Sequence, residues 1–228
     1  MKTAIFTAFL SLTLTCGFSQ SSEISIEFIG NCGFHMTDGV QNFYIDFPYK
    51  SGAFGYMEFE ESDLVGIKEN AVFIFTHRHA DHYSKKNLKK VMKEKGGNHY
   101  GFFDIPELEK LNAEINDFEI KAFKTKHTFF GISFKHYSFL ITWHGKNIYI
   151  SGDTTNPQTI GTMKDIDLAF VPYWILNNAK EQGIEIDADR IAIYHLYPSQ
   201  IANAVQQTEK TKNITPMTEK GQKLTIKF

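Results

Sequence analysis

One short stretch, residues 76–82, constrains the fold of this chain more than any other, and its sequence is THRHADH. The five residues before it, 71–75 (AVFIF), are all apolar and match the length of a buried strand. After it, Ser84 can cap a lysine-rich segment with apolar residues at helical spacing, and Gly96 can end that segment. The sequence therefore predicts three imidazoles and a carboxylate on a turn between a buried strand and a helix.

The residue types of this turn suit a metal centre. His77 and His79 are two positions apart, so both side chains can point to one side of an extended loop. Asp81 and His82 follow where the chain turns into the helix, so they can point to a second place nearby. Neutral imidazole and carboxylate are ligands that zinc and related metals prefer. The pattern indicates a centre with two metal ions, and the alternative is a histidine-rich surface turn.

The pattern His-x-His-x-Asp-His after a strand resembles the metallo-β-lactamase superfamily of metal-dependent hydrolases. The resemblance implies one aspartate upstream, then a histidine, an aspartate and a histidine downstream. The candidates in that order are Asp46, His127, Asp153 and His195. They follow segments that the sequence predicts as strands, namely 42–45, 118–125, 147–150 and 191–194. The remaining histidines, His35, His99, His136 and His144, are interpreted as ordinary surface or core residues; His99 is placed in a glycine-rich loop and His136 inside a strand at 132–141.

The resemblance also implies a role for each candidate. His77, His79 and His127 hold one metal, Asp81, His82 and His195 hold the other, and Asp153 bridges the two. Asp81 is also the predicted catalytic carboxylate, and Asp46 holds the histidine loop by hydrogen bonds without binding metal. The expected metals are two zinc ions, with iron or manganese as alternatives. Their expected role is to lower the pKa of a bound water and to polarise the substrate.

The implied architecture is α+β, a four-layer αββα sandwich in which the metals lie at one edge between the sheets. It would occupy residues 21–228, and the length of 228 residues and the 42% hydrophobic composition fit one globular domain. The formal net charge of −2 gives no indication of a nucleic-acid partner. Further segments are predicted as strands at 24–29, 34–37, 167–172 and 224–226, and as a short helix capped by Asp104. Residues 49–63 are predicted as a loop that lies beside the metals or packs on the body, and residues 175–189 as a polar loop, with one helical turn in it as an alternative.

Residues 1–20 are predicted to be a secretory signal peptide rather than part of the fold. Lys2 precedes an apolar stretch at 4–16 that is too short to span a bilayer, and small residues follow at 17–20. An uncleaved anchor and lipidation at Cys16 are the alternatives. We therefore expect a periplasmic or secreted protein without a transmembrane segment, in which Cys32 is the only cysteine and no intramolecular disulfide forms.

The expected function is hydrolysis of a small-molecule ester, lactone or phosphodiester. Tyr83 follows the metal loop where many antibiotic-hydrolysing relatives have two glycines, and it resembles the ascorbate-6-phosphate lactonase and N-acyl-phosphatidylethanolamine phospholipase D branches. Three alternatives stay open: β-lactamase activity, an iron-dependent redox or dioxygenase relative, and a metal-binding module without turnover. His79 disfavours the iron-dependent branch, whose members usually carry glutamate there.

Overall fold

The computed structural model describes residues 22–228. The predicted signal peptide at 1–20 and the lipidation alternative at Cys16 lie outside these residues. In chain order the elements are β1 (Glu23–Gly30), β2 (Gly33–Thr37), β3 (Asn42–Ile45), a 3₁₀ turn (Ala53–Gly55), α1 (Asp63–Gly66), β4 (Val72–Phe75), α2 (Lys85–Lys95), β5 (Asn98–Gly101), α3 (Ile105–Glu109), α4 (Leu111–Glu114), β6 (Phe118–Lys124), β7 (His127–Phe129), β8 (Ile132–Phe134), β9 (Tyr137–Trp143), β10 (Lys146–Ile150), α5 (Gln158–Gly161), β11 (Leu168–Pro172), α6 (Tyr173–Glu181), β12 (Ile191–Tyr194), α7 (Pro198–Thr208), β13 (Ile214–Pro216) and β14 (Lys223–Lys227).

The strands form two six-stranded sheets and a separate two-stranded ribbon. The first sheet has the order β14-β1-β2-β3-β4-β5, and β3, β4 and β5 run parallel within it. The second has the order β13-β12-β11-β10-β9-β6, and β10 to β13 run parallel. Because β3 and β4 end side by side, as do β10, β11 and β12, the loops that follow these strands start from common sheet edges.

Apolar side chains between the two sheets form the central core. Burial alternates strictly along β1, as expected for a strand with one face on a core. Phe34 of the first sheet meets Phe170 of the second with ring centroids 4.2 Å apart. Phe43 of the first sheet likewise meets Phe118 of the second, and their rings are stacked with centroids 4.7 Å apart. The two sheets therefore pack face to face.

Helices cover the outer face of each sheet. Leu88 and Val91 of α2 pack against the outward side chains of the first sheet, such as Phe73 and Phe75. Ile175 of α6 and residues of α7 pack against the outward side chains of the second sheet, such as Val171. The order helix, sheet, sheet, helix confirms the predicted α+β four-layer sandwich. None of the helices between residues 22 and 228 combines the length and the apolar composition that crossing a membrane requires.

Two predicted segments near the site have a different structure. The polar loop expected at 175–189 begins as the nine-residue helix α6, because Ile175 and Ala179, four residues apart, both turn inward. The single strand expected at 132–141 is two strands, β8 in the ribbon and β9 in the second sheet. His136 lies at the break between β8 and β9, so it is not inside a strand.

Three smaller differences concern the sheet edges. His99 belongs to the edge strand β5 rather than to a glycine-rich loop, since it pairs with Phe73 of β4. β13, which pairs with β12, was not predicted. The helix capped by Asp104 is two short helices, α3 and α4, and the Asp104 carboxylate does accept the Glu107 N–H at 3.3 Å.

Candidate metal centre

The histidine-rich loop joins β4 to α2 as predicted. Ser84 caps α2, because its hydroxyl accepts the Asn87 N–H at 3.3 Å. The N–H groups of His82 and Tyr83 both donate to the His79 carbonyl, at 3.0 and 2.8 Å, and close the loop into a tight turn. This turn buries His77 and His82 completely and leaves His79 and Asp81 partly exposed.

All seven predicted ligands come together in space, in two adjoining groups. Within each group, one potential ligand atom from every residue lies within 4.8 Å of the others. The first group contains His77, His79, His127 and Asp153, and the second contains Cys32, Asp81, His82 and His195. Cys32 is an addition, because the sequence indicated only an unpaired thiol there.

Asp153 lies where the two groups meet. Its Oδ2 is 3.8 Å from His77 Nε2 of the first group and 3.3 Å from His195 Nε2 of the second. Its Oδ1 is 2.9 Å from His82 Nε2, also of the second group. Asp81 Oδ2 approaches the same His195 nitrogen at 3.2 Å. One carboxylate can therefore reach both groups.

Several buried polar atoms of the site form no hydrogen bond among the residues that the structure describes, although an Asp153 carboxylate oxygen lies close to three of the imidazole nitrogens. They are the Nε2 atoms of His77, His82 and His195, Nδ1 of His127, and Oδ1 of Asp153. An unpaired buried polar atom costs about 1–3 kcal/mol, so a cluster of them in one place needs an explanation. The Nε2 atoms of His77, His82 and His195 converge on the Asp153 carboxylate, and imidazole nitrogens with a carboxylate oxygen fit the ligand preferences of a divalent metal such as zinc.

A buried hydrogen-bond network fixes which nitrogen of His77 and His82 faces the centre. Asp46 accepts hydrogen bonds from the Thr76 N–H at 2.7 Å, from the Thr76 hydroxyl at 2.8 Å and from His82 Nδ1 at 2.8 Å. Since the Thr76 hydroxyl donates to Asp46, it can accept from His77 Nδ1, 3.0 Å away. Both rings then carry the proton on Nδ1 and direct the lone pair of Nε2 to the site. The predicted contact of Asp46 with the histidine loop is thus present.

His136, interpreted from the sequence as an ordinary histidine, lies directly behind Asp153. Its Nε2 accepts the Asp153 N–H at 2.8 Å, and its Nδ1 lies 2.7 Å from the Thr125 hydroxyl. Burial lowers the pKa of His136 to about 3, so the ring is neutral and Nε2 is available as an acceptor. His136 therefore orients the backbone that carries the bridging candidate.

Three site loops turn through left-handed backbone directly after a strand. Asp46 follows β3 with φ of 48°, and His195 follows β12 with φ of 58°. Gly152, two residues after β10, has φ of 57°, and a Cβ on it would lie 2.4 Å from His136 Nε2. Side chains rarely adopt this backbone, so its recurrence at the site marks places where the fold stabilises an unfavourable geometry.

Burial and neighbouring charges shift the pKa values of the site histidines in different directions. Burial, followed by the neighbouring His82, lowers the pKa of His77 well below its usual value and keeps that ring neutral. Burial acts in the same direction on His82 and His195, but the adjacent Asp153 carboxylate outweighs it and raises the pKa of both well above the usual value. Protons on these two rings would have to leave before a metal binds, so metal affinity should fall as the pH is lowered.

The centre opens into a cleft of about 550 Å³. Besides residues of the two ligand groups, its lining includes Trp174, Tyr197, Ala80 and residues 50–53. The segment predicted as a loop at 49–63 is therefore divided: its start lines the cleft, whereas Phe59 packs on Phe47 with ring centroids 5.6 Å apart. Trp174 is held in place because its indole N–H donates to the Thr154 carbonyl at 2.9 Å.

Tyr83, the residue that suggested two particular branches, does not line this cleft. Its ring packs edge-on against Phe75 and Phe102, with centroid distances of 4.9 and 5.6 Å. It is part of the outer core beneath α2. The structure therefore gives Tyr83 no direct contact with a substrate.

The sequence matches no protein-family model, and no curated protein resembles it significantly. Solved structures do resemble the fold. A metallo hydrolase from the archaeon Ignicoccus hospitalis is 17% identical with a TM-score of 0.65, and the match covers 90% of this chain and 99% of that one. The metallo-β-lactamase fold protein YhfI from Bacillus subtilis is 16% identical with a TM-score of 0.59, covering 89% and 99%. An isothiocyanate hydrolase from Delia radicum gut bacteria is 14% identical with a TM-score of 0.58, covering 90% and 100%. The chain has the metallo-β-lactamase fold.

Replacing Gly152 with alanine should destabilise the protein more than an equivalent change elsewhere. The control is Gly145→Ala, because Gly145 also has a positive φ, 72°, but a Cβ there meets nothing within 4 Å. We expect a loss of about 1–2 kcal/mol for the control from backbone strain alone. Gly152→Ala should lose about 1–3 kcal/mol more, because the methyl group displaces His136.

The measurement is urea unfolding of both variants with a chelator present, so that metal binding does not contribute. Equal losses for the two variants would contradict the close packing of His136 against Gly152.

Proposed function

We propose that this protein is a metal-dependent hydrolase that uses two divalent cations, zinc in the first place, to activate water against a small ester, lactone or phosphodiester. The observation that carries the proposal is the convergence of six imidazole or carboxylate side chains around Asp153, where the buried Nε2 atoms of His77, His82 and His195 form no hydrogen bond within the described part of the chain. The likeness to the hydrolases above supports the fold, and the chemistry of the side chains supports the activity.

The ligand assignment follows from the atoms that face one another. His77 Nε2 and the facing nitrogens of His79 and His127, which are 3.1 Å apart, would hold the first cation. Asp81, His82 and His195 would hold the second. Asp153 would bridge the two, and its negative charge would offset the repulsion between them. When bound, the cations would lower the pKa of a coordinated water and polarise the substrate oxygen that the water attacks.

Asp81 is the proposed catalytic carboxylate. Burial raises the pKa of Asp81, but the adjacent His195 and the nearby His82 lower it further, so the group is ionised at neutral pH. An ionised carboxylate accepts hydrogen bonds and binds cations. Asp81 is also partly exposed to the cleft. It can therefore hold a metal and accept a hydrogen bond that orients the attacking water.

The walls of the cleft indicate a small substrate with an apolar group. Trp174 and Tyr197 offer aromatic surface next to His195, with ring centroids 5.1 and 5.9 Å from the imidazole. Lys50, which also lines the cleft, supplies a cation that can attract a carboxylate or phosphate of the substrate. An ester, lactone or phosphodiester with an apolar substituent could contact the aromatic surface of Trp174 and Tyr197 and also interact with Lys50.

Protein purified under metal-replete conditions should contain about two zinc-type ions per chain, and His79→Ala should lose metal and turnover. The loss should exceed the roughly 10–100-fold effect that follows removal of an outer hydrogen-bond partner, because His79 contributes a ligand itself. Metal content by mass spectrometry and turnover of chromogenic esters, lactones, phosphodiesters and β-lactams are the measurements.

The matched control is His99→Ala, because His99 is an exposed histidine on the edge strand β5, outside both ligand groups. It should keep both metals and full turnover. Wild-type protein without metal, or with metal but inactive on the whole panel, would contradict the proposal.

Asp153→Asn should weaken metal binding more than Asp46→Asn does. The first change keeps the size of the side chain but removes the charge between two cations. The Asp46 carboxylate accepts hydrogen bonds from Thr76 and His82, so its loss should weaken affinity about 10–100-fold through the orientation of His82. Competition with a chromogenic chelator measures both affinities. Full metal content in Asp153→Asn would refute the bridging role.

The proposal includes export to the periplasm or the outside of the cell, on the basis of Lys2, the apolar stretch at 4–16 and the small residues after it. Intact mass of the protein recovered from the producing cells should show a start near Ser21. Leu12→Arg, which interrupts the apolar stretch, should leave the precursor uncleaved. A cytosolic protein that retains Met1 would contradict export, and a start at lipid-modified Cys16 would indicate anchoring instead.

A further inference from the structure

Cys32 occupies the turn between β1 and β2 and is not among the residues that line the cleft. Its side chain is only 1% exposed. The Sγ atom lies within 4.8 Å of potential ligand atoms of Asp81, His82 and His195. These are the three residues assigned above to the second metal.

The turn that carries Cys32 is fastened to the histidine-rich loop. The Asn31 side chain donates a hydrogen bond to the Asp81 carbonyl at 3.0 Å. Asn31 also has a left-handed backbone, with φ of 56°. Gly52 packs so closely on it that a Cβ there would lie 2.6 Å from Asn31 Oδ1. Cys32 is therefore held beside the second ligand group by contacts on both sides.

The neighbours of Cys32 point to a ligand rather than to packing alone. The Nε2 atoms of His82 and His195 are buried and have no hydrogen-bond partner among the described residues. His82 is fully buried, and His195 is 7% exposed. Cys32 also contacts the apolar core between the sheets, and a cysteine that only packs there behaves as a small apolar residue. Packing alone gives no reason for a thiol beside two unpartnered imidazole nitrogens.

We infer that Cys32 binds the second metal as a thiolate, so that this metal is held by Cys32, Asp81, His82 and His195, with Asp153 shared. The inference rests on the proposed function and deepens it. On binding, the S–H bond breaks, the sulfur electron pair forms the bond to the metal, and the proton passes to solvent. Nothing is oxidised or reduced.

A thiolate in the site changes which metal it prefers. Sulfur is a soft ligand that favours zinc over manganese or magnesium, which prefer oxygen. The first metal, held by three imidazoles and a carboxylate, has no such ligand. The two positions of the centre would therefore differ in metal preference, and the second would be selective for zinc or cobalt.

X-ray absorption of the zinc-loaded full-length protein, together with the optical spectrum of the cobalt-loaded protein, tests the inference without any variant. In the zinc-loaded protein we expect a sulfur neighbour at about 2.3 Å, with the number of sulfur neighbours averaged over the two metals. In the cobalt-loaded protein we expect a thiolate-to-cobalt charge-transfer band in the near ultraviolet. Two bound metals with neither signal would overturn the role of Cys32 and leave the proposed hydrolase intact. No bound metal would overturn both.

Two cysteine variants assign the sulfur. Cys32→Ser should abolish the charge-transfer band while the visible cobalt bands of the first site remain. The matched control is Cys16→Ser, since Cys16 belongs to the predicted signal peptide, and it should keep the band. A band that survives in Cys32→Ser, or disappears in Cys16→Ser, would overturn the assignment.

Discussion

The position of the Asp153 carboxylate among three buried imidazoles is the interaction on which the rest of the site depends. It lies within 4 Å of nitrogens of His77, His82 and His195, which come from two different sheets of the sandwich. Without a compensating charge or proton, a buried carboxylate at this place would be strongly unfavourable. The surrounding fold therefore has to hold these rings firmly, and the buried hydrogen bonds of Asp46 and His136 do so on either side.

The two supporting networks act in different ways. Asp46 and Thr76 act on the rings, because they fix the proton on Nδ1 of His82 and His77 and so direct the other nitrogen inward. His136 acts on the backbone, because it accepts the Asp153 N–H and leaves no room for a side chain at Gly152. Left-handed residues shortly after β3, β10 and β12, at Asp46, Gly152 and His195, then turn the chain sharply at the site.

Sequence reasoning identified the side chains that the structure brings together because their signals are local. The spacing of His77, His79, Asp81 and His82 lies within one turn, and Asp153 and His195 each follow a recognisable apolar strand. Cys32 and His136 were missed because their roles arise only when the β1–β2 turn and the β8–β9 break meet residues far away in the chain. Tyr83 is adjacent to the site in the sequence, but its ring packs in the outer core, so the two branches that it suggested stay a prediction. The helix α6 was missed because its pattern of two inward residues is short and set among polar ones.

The division of the ligands between the two sheets has a mechanical consequence. His77 and His82 follow a strand of one sheet, whereas Asp153 and His195 follow strands of the other. Cations held by both would close long loops of the chain, as a disulfide does, and would reduce the entropy of the unfolded chain in the same way. With a single cysteine between residues 22 and 228, the described part of the chain cannot form such a bond within itself. The cations that serve the reaction would then also cross-link the two halves of the sandwich.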